Sequence, residues 1–414
     1  MSTSLPEAPA PVSASALATP HSAHGDAPHS APMLASKPET PALVTAIATP
    51  PPSRPRRVPL LQRRYTLELR QQLSWPQQAA VLTLSVAVGL LLCGAILVAA
   101  GVSLQDLLNE FIVQTFLDAQ NFRAVLFQAA PMVMVGLAAA MAFRARFWNL
   151  GLEGQMISGA IGATAISMHE IGPPGLRLWF MAAAALLCGL AWVVVPMTLK
   201  MRLGINEIIS SLMLNYVAAN FLLHLLYGAW KDPKDAFPYS PKFQAFERLP
   251  DLPGGYSSAI VLAALVALAA WWFVERSRAG LYLRFVHASR RVADAVGVPV
   301  RRLVLGAVLL SGALAGLAGF MVAAGQEGRL TQAFYSGYGF SGILIAFLAR
   351  NNPLAASVVA VLVATLFVAG RSLQVFYQIP FSMVQLIQAI LVICVASSDF
   401  FIRHRLRAVA PQGT

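Results

Sequence analysis

Long apolar segments fill this sequence from about residue 77 to residue 401, and they constrain the fold more than any other feature. A membrane-spanning helix needs about 20 predominantly apolar residues, and lipid requires that every backbone polar group be bonded within the protein. The pattern therefore predicts an all-α polytopic membrane protein, in which the short eighth segment is a half-helix buried against protein. The ten segments lie at about 77–101, 124–143, 150–168, 177–198, 208–228, 257–274, 303–324, 340–349, 353–370 and 383–401.

The composition excludes an ordinary soluble globule. The chain has 414 residues, of which 57% are hydrophobic and 12% are charged, whereas a soluble domain carries about 25% charged residues. Cys93, Cys188 and Cys394 each lie alone inside an apolar segment. We therefore expect them to be small core residues, with neither a disulfide framework nor a metal site.

The basic residues concentrate in alternate loops. The net charge is +12, but the arginines and lysines lie between apolar segments, where the positive-inside rule places them. For this reason we expect no binding to nucleic acid. Basic residues follow the second and fourth segments and fill the loop at about 275–302, while the loops at about 102–122 and 229–256 carry no excess of positive charge. This alternation predicts that both termini face the cytoplasm.

The first 75 residues differ from the rest of the chain. They are rich in Ala, Pro, Ser and Thr and nearly lack aromatic residues before residue 60, so they bury too little apolar surface to offset the entropy of ordering. We predict a disordered cytoplasmic extension over 1–75, whose basic end (Arg54–Arg64) anchors it to anionic headgroups. The membrane domain then covers 76–405, and a cytoplasmic tail covers 406–414.

Uncharged and acidic polar residues interrupt three of the apolar segments. Such residues are costly in lipid and are commonly functional. They suit hydrogen bonds to a neutral polar solute, and they equally suit hydrogen bonds between helices. For Glu153 a further alternative is an ion pair with Arg144 or Arg146, or a cap on its own helix. Eight residues are candidates for the solute pathway: Asn149, Glu153 and Gln155 at the start of the third segment, Glu207, Ser211 and Asn215 on one face of the fifth, and Gln385 and Gln388 in the tenth.

The loop at about 275–302 has an amphipathic pattern. Apolar and basic residues alternate in it at helical spacing, which predicts one or two short helices at the cytoplasmic face. Gly297 is suited to end the second helix, and Pro299 cannot continue it. An interfacial helix on lipid and a docking helix for a cytoplasmic partner both fit this pattern.

Small residues recur at a spacing of four in two segments. Gly312 and Gly316 form a GxxxG step, and Gly154, Ser158 and Gly162 follow the same interval. Small side chains let helix backbones approach closely in a membrane. These residues therefore predict tight helix packing.

Several chemical motifs are missing from the sequence. It contains no GxxxxGK[ST] phosphate loop, no HExxH or GxSxG motif and no Cys/His cluster, so we expect no catalytic residue, no metal and no cofactor. No Asp or Glu lies in the middle of a segment, whereas an ion-coupled carrier usually needs an ion-binding group near the midplane. The energy for any transport is therefore expected to come from another chain.

Four motifs in this order carry a family resemblance. The motifs are FWNLGLEGQMISGA (147–160), GINEIISSLMLNY (204–216), ASRRVADAVGVPVRR (288–302) and GYGFSGILIAFLARNNPLA (337–355). With these motifs the chain resembles the permease subunits of simple-sugar and nucleoside ABC importers, within the superfamily that includes ribose and branched-chain amino-acid permeases.

The resemblance implies an inner-membrane import channel without catalytic activity of its own. Implied partners are a second permease subunit, a cytoplasmic ATPase with tandem nucleotide-binding domains, and an extracytoplasmic binding protein or lipoprotein. The alternatives are a branched-chain amino-acid permease and, from another class, an ion-coupled secondary carrier. The resemblance also assigns contact with the ATPase to the third motif, at Ala288, Ser289, Arg290, Arg291, Ala293, Asp294 and Gly297.

Overall fold

The computed structural model describes residues 64–69, 74–109, 118–334 and 337–409. Helices dominate these ranges. In chain order they are α1 (Trp75–Ala99), α2 (Leu104–Leu108), α3 (Ala119–Arg144), α4 (Leu152–Met168), α5 (Pro174–Leu203), α6 (Glu207–Tyr227), α7 (Ser258–Arg276), α8 (Arg278–Ala288), α9 (Arg290–Ala295), α10 (Val300–Phe320), α11 (Tyr338–Leu348), α12 (Pro353–Tyr377) and α13 (Phe381–Arg403). The shorter elements are β1 (Arg64–Leu69), a 3-10 turn (Ala245–Glu247), β2 (Asp251–Leu252), β3 (Tyr256–Ser257), a π-helical segment (Met321–Glu327) that continues α10, and β4 (His404–Val409).

Each of the ten predicted apolar segments coincides with a helix. Eight helices in the described part of the chain are long and apolar enough to cross a membrane. The other two are α4, with 17 residues, and α11, with 11 residues. The chain is therefore a polytopic helical protein as predicted, whereas the number of complete spans and the side on which the termini lie stay predictions.

The helices α3 and α10 form the centre of the bundle. The most apolar stretch of α3 is 83% buried, and that of α10 and its continuation is 67% buried, whereas the corresponding stretches of α5, α6 and α7 are each 22% buried. This difference places α3 and α10 inside and leaves one broad face of each of the other three helices exposed.

Glycines set the close packing of α4, α5 and α10. A Cβ atom at Gly316 would collide with the Ala185 carbonyl of α5, and one at Gly159 of α4 would collide with the backbone of Gly316. Gly319 approaches the Met156 carbonyl of α4 in the same way. The predicted packing role of the small residues is thus confirmed, because helix backbones meet where a side chain would keep them apart.

The short helix α11 packs against α3. Gly342 lies against Val135, and Gly136 lies against Ile345. Most of α11 is buried, which confirms a short helix that lies against protein. Its backbone can therefore end at membrane depth without exposing polar groups to lipid.

The two ends of the bundle are built differently. One end carries α8 and α9. The opposite end carries the connection between α6 and α7, which is fixed by a buried ion pair of 2.8 Å between Arg177 and Glu247. A second ion pair there, of 2.7 Å, joins Arg329 to Asp235, and the hydrogen bond from Arg329 lowers the pKa of the Asp235 carboxyl.

The two ends of the described chain pair with each other. Strands β1 and β4 form an antiparallel two-stranded sheet in which Arg64 pairs with Val409 and Leu69 pairs with His404. Strand β1 lies within the stretch 1–75, for which the sequence predicts disorder. Residues 1–63 and 410–414 lie outside the described residues, so the boundaries at 75 and 405 stay predictions.

The packing at Gly316 gives a first prediction. Gly316→Val should strongly destabilise the bundle, by about 1–3 kcal/mol or more, because backbone atoms of α5 occupy the space that the new side chain needs. The thermal midpoint of the detergent-purified protein measures this effect. The matched control is Gly306→Val in the same helix, where an added Cβ meets nothing within 4 Å. Equal midpoints for the two variants would contradict the packing argument.

Candidate functional site

A buried amide cluster lies where the turn between α3 and α4 enters the bundle. The Asn149 amide nitrogen donates to Gln155 Oε1 at 3.0 Å and to Ser311 Oγ at 3.0 Å. Gln155 Nε2 donates back to Asn149 Oδ1 at 2.9 Å, and Gly151 N donates to the same oxygen at 3.1 Å. Asn149, Gln155 and Ser311 are fully buried. The cluster therefore ties α4 to α10 through satisfied hydrogen bonds.

The cluster lies at membrane depth. Ser311 is the twelfth residue of α10, about 16 Å along the axis from its first residue at 1.5 Å per residue. The turn at 145–151 thus carries non-helical backbone into the bundle. Such backbone is tolerated in a membrane only where it is buried in protein and hydrogen-bonded.

One face of α6 supplies the hydrogen bonds that this turn needs. Asn215 Oδ1 accepts from Gly154 N at 2.9 Å, and its amide nitrogen donates to the Leu150 carbonyl at 2.9 Å. Ser211 Oγ accepts from Leu150 N at 3.2 Å. Glu207 Oε1 accepts from the Trp148 backbone at 3.4 Å. The spacing of four that the sequence shows on α6 therefore matches successive backbone groups of the turn.

Glu207 also pairs with a cation. Its carboxylate contacts the ammonium of Lys200 at the end of α5, and that ammonium lies 5.1 Å from the centre of the Phe147 ring. The sequence prediction missed Lys200 and Ser311. The only available signal for Lys200 was its separation of seven residues from Glu207, whereas no local pattern marks Ser311.

Glu153 does not form the ion pair that was considered for it. Its carboxylate accepts from Gly337 N at 3.2 Å, just before α11. Arg144 Nε instead donates to the Asn351 carbonyl at 2.8 Å. Since a carboxylate near a helix N-terminus is favourable, Glu153 serves α11 as well as the first turn of its own helix.

Arg146 joins the same turn to the end of α8. Its Nε donates to the His287 carbonyl at 2.8 Å, and its Nη2 donates to the Ala288 carbonyl at 2.9 Å. Arg146 adopts a left-handed backbone conformation with φ of 53°, which is uncommon for a residue other than glycine. A cation at these carbonyls complements the negative end of α8.

The segment 275–302 folds into the two short helices that the pattern predicts. Ser289 caps α9 by accepting from Val292 N at 3.4 Å, and Gly297, with φ of 79°, follows its end. Ala293 is buried, so one side of α9 packs on the bundle. Five candidate coupling residues of this segment remain exposed: Ala288, Arg290, Arg291, Asp294 and Gly297.

The two glutamines of α13 do not join the amide cluster as far as the structure describes them. Gln385 is exposed, and the side chain of Gln388 lies outside the described residues. The structure thus brings together six of the eight candidates along the turn: Asn149, Glu153, Gln155, Glu207, Ser211 and Asn215.

A cavity of about 290 Å³ lies beside the cluster between α4, α5 and α6. Two indole rings, Trp192 and Trp230, contribute to its lining together with Ser158 and Phe221. No charged side chain lines it. Within the described ranges, no group of three or more His, Cys, Asp or Glu side chains is placed to hold a metal ion.

The buried cluster gives a second prediction. Asn149→Ala should destabilise the protein by about 1–3 kcal/mol or more, because the amide of Gln155 and the backbone of Gly151 lose their partners in a dry interior. The thermal midpoint again measures the effect. Asn220→Ala, which removes an exposed amide from α6, is the control; it should change the free energy of unfolding by less than about 0.5 kcal/mol and leave the midpoint close to that of wild type. A wild-type midpoint for Asn149→Ala would show that the cluster contributes nothing to stability.

Comparison with known proteins gives one family and several relatives. Residues 121–396 match the family described as branched-chain amino acid transport system / permease component. The glucose ABC transporter permease protein TsgB13 of Haloferax volcanii is 32% identical over 78% of this chain and 88% of its own length.

Two further relatives are more distant. The guanosine ABC transporter permease protein NupP of Bacillus subtilis is 28% identical over 78% of this chain and 92% of its own length. The probable riboflavin import permease protein RfuC of Treponema pallidum is 26% identical over 65% of this chain and 72% of its own length. The family match runs from residue 121 to residue 396 and so includes the turn at 145–151, α6 and the segment 275–302.

Proposed function

Because the chain belongs to the family of permease components of branched-chain amino acid transport systems, and is thus a multi-pass permease subunit of an ABC transporter, we propose that it imports nucleosides or simple sugars across the inner membrane. Two of the three named relatives support this solute class, since their names describe permeases for glucose and guanosine. ATP hydrolysis takes place on a partner chain.

The distribution of charge carries the proposal of a neutral solute. Every Asp, Glu, Lys and Arg of the described spans lies within about two helical turns of a helix end. A solute with a permanent carboxylate would need a cation along its path to replace lost hydration. Among the described residues, no Lys or Arg lies at the middle of a span, which favours uncharged hydroxyl-bearing or heterocyclic solutes.

A branched-chain amino acid remains the second candidate, because the description of the family names that solute class. An amino acid is a zwitterion and needs partners for two charges. The arginines nearest to the amide cluster, Arg144 and Arg146, are both engaged with backbone carbonyls. Charge balance therefore favours the neutral solutes over this candidate.

The amide cluster has a structural part in this proposal. Asn149, Gln155, Ser211 and Asn215 are bound to one another or to the turn, so in this conformation their hydrogen-bonding groups serve the bundle. We assign them the task of holding α4, α6 and α10 in register. Any contact that they make with solute requires these hydrogen bonds to open.

We assign the docking of the ATPase to α8 and α9. Arg290 and Arg291 are exposed, and the buried Ala293 fixes α9 to the bundle. Arg146 connects the end of α8 to the turn that contains Asn149. A displacement of α8 is thereby transmitted to the centre of the bundle. A second permease subunit and an extracytoplasmic binding protein or lipoprotein complete the proposed importer.

Uptake measurements test this function. Membrane vesicles with the complete importer should accumulate labelled guanosine, adenosine or glucose only with ATP. The double variant Arg290→Glu with Arg291→Glu should abolish uptake and ATPase co-purification, because it replaces two exposed positive charges of the docking surface with negative charges. The control, Arg276→Glu with Arg278→Glu, makes the same charge change in exposed residues at the other end of the segment and should retain both. Normal ATPase co-purification with the first variant would refute the docking role.

Thiol labelling tests the proposed orientation, in which both termini are cytoplasmic. With Cys93, Cys188 and Cys394 replaced, a membrane-impermeant reagent added to intact cells should modify Lys242→Cys and spare Arg290→Cys. Both positions are exposed, whereas the neighbouring Ser240 is fully buried and would be a poor reporter. Labelling of Arg290→Cys from outside would reverse the orientation.

A further inference from the structure

The outward face of α6 carries polar and aromatic residues at helical spacing. Tyr216, Asn220 and His224 follow one another at intervals of four, and Tyr227 lies three residues further on, so the four residues share one side of the helix. All four are exposed, with Tyr216 at 62% and Tyr227 at 65%. This row is the α6 stripe. It faces away from Ser211 and Asn215, which bind the turn.

The neighbouring helix α5 shows what a face suited to lipid is like in this chain. Between Leu176 and Val195 its exposed residues are all apolar. The most apolar stretch of α6 is less apolar than that of α5 and is the least apolar among the eight candidate spans of the described residues. The exposed residues of α6 are also partly apolar, but unlike those of this stretch of α5 they include Asn220 and His224.

Asn220 lies well inside the span, whereas His224 lies in the last turn of α6. Asn220 is the fourteenth of the 21 residues of α6, about 20 Å from the first residue along the axis. One hydrogen of its amide is used by the Tyr216 carbonyl at 2.8 Å, which leaves a second donor and the amide oxygen. Polar groups at this depth normally face water or other polar groups, because lipid offers them no partner.

We propose that the α6 stripe lines the solute pathway and binds a nucleoside, with the planar base on the Tyr216 ring and its polar edge at Asn220 and His224. This deepens the function proposed above and depends on it. The stripe has no carboxylate, ammonium or guanidinium group, so it suits a neutral solute better than a charged one. Aromatic rings bind planar bases by stacking, and an amide matches the donor and acceptor pattern of a base edge.

Uptake kinetics of the importer in vesicles test the stripe. Tyr216→Leu and Asn220→Ala should each raise the half-saturating guanosine concentration several-fold, at unchanged complex assembly and unchanged ATPase activity without solute. Tyr216→Phe keeps the ring and should retain the wild-type value. The control is Leu187→Ala on the outer face of α5, where the leucine is 60% exposed. Wild-type kinetics for both test variants would overturn the proposal.

Thiol labelling provides a readout that does not depend on uptake. In the background without native cysteines, a charged thiol reagent added to both sides of the membrane should modify Asn220→Cys and Tyr216→Cys, but not Leu187→Cys. Guanosine should slow the modification, whereas glucose should not. Stripe positions that resist the reagent, because they face lipid or a second permease chain, would overturn the proposal, and so would labelling that guanosine leaves unchanged.

The outcomes separate this inference from the proposed function. An importer that carries glucose but no nucleoside would refute the assignment of the stripe and leave the proposed function intact. An importer that carries none of the tested solutes would refute the proposed function, while protection of Asn220→Cys by guanosine would still decide whether the stripe binds a nucleoside.

Discussion

The hydrogen bonding of one non-helical turn is the constraint on which the rest of the bundle depends. The backbone of residues 145–151 lacks helical hydrogen bonds and lies inside the bundle, where an unpaired N–H or C=O group is costly. Asn149 satisfies part of this need from within the turn by accepting from Gly151 N, and Glu207, Ser211 and Asn215 satisfy more of it from α6. The positions of α4, α6 and α10 follow from these bonds, because each helix must present its partner at about 3 Å.

The same turn connects the segment to which we assign ATPase docking with the centre of the bundle. On one side, Arg146 holds the carbonyl end of α8. On the other, Asn149 holds Ser311 in the centre of α10. Only two residues lie between Arg146 and Asn149 along the chain, so the end of α8 and the amide cluster are joined by a short connection. A short, fully hydrogen-bonded connection of this kind transmits displacement better than a flexible loop, since it has few alternative conformations.

Much of this architecture could be predicted from local sequence. The ten apolar segments, the two helices between residues 275 and 302, and the packing role of Gly316 all depend on runs of neighbouring residues, which a single sequence displays directly. The partners of the polar residues could not be predicted in this way. Glu153 had two arginines nearby in sequence, yet it binds Gly337, which is 184 residues away, because the arginines are used by the carbonyls of α8 and of residue 351.

The sequence by itself determined which segments form apolar helices and which residues permit close helix packing, because hydropathy and side-chain size are properties of each residue and its neighbours. Only the tertiary structure decided what each face of α6 does. Glu207, Ser211 and Asn215 face the turn, while Tyr216 and Asn220, one and five residues beyond Asn215, face outward. Both sets are polar and look alike in sequence. Their separation arises from the helices that pack on one side of α6 only, and that arrangement is set by contacts such as Asn149 with Ser311, 162 residues apart.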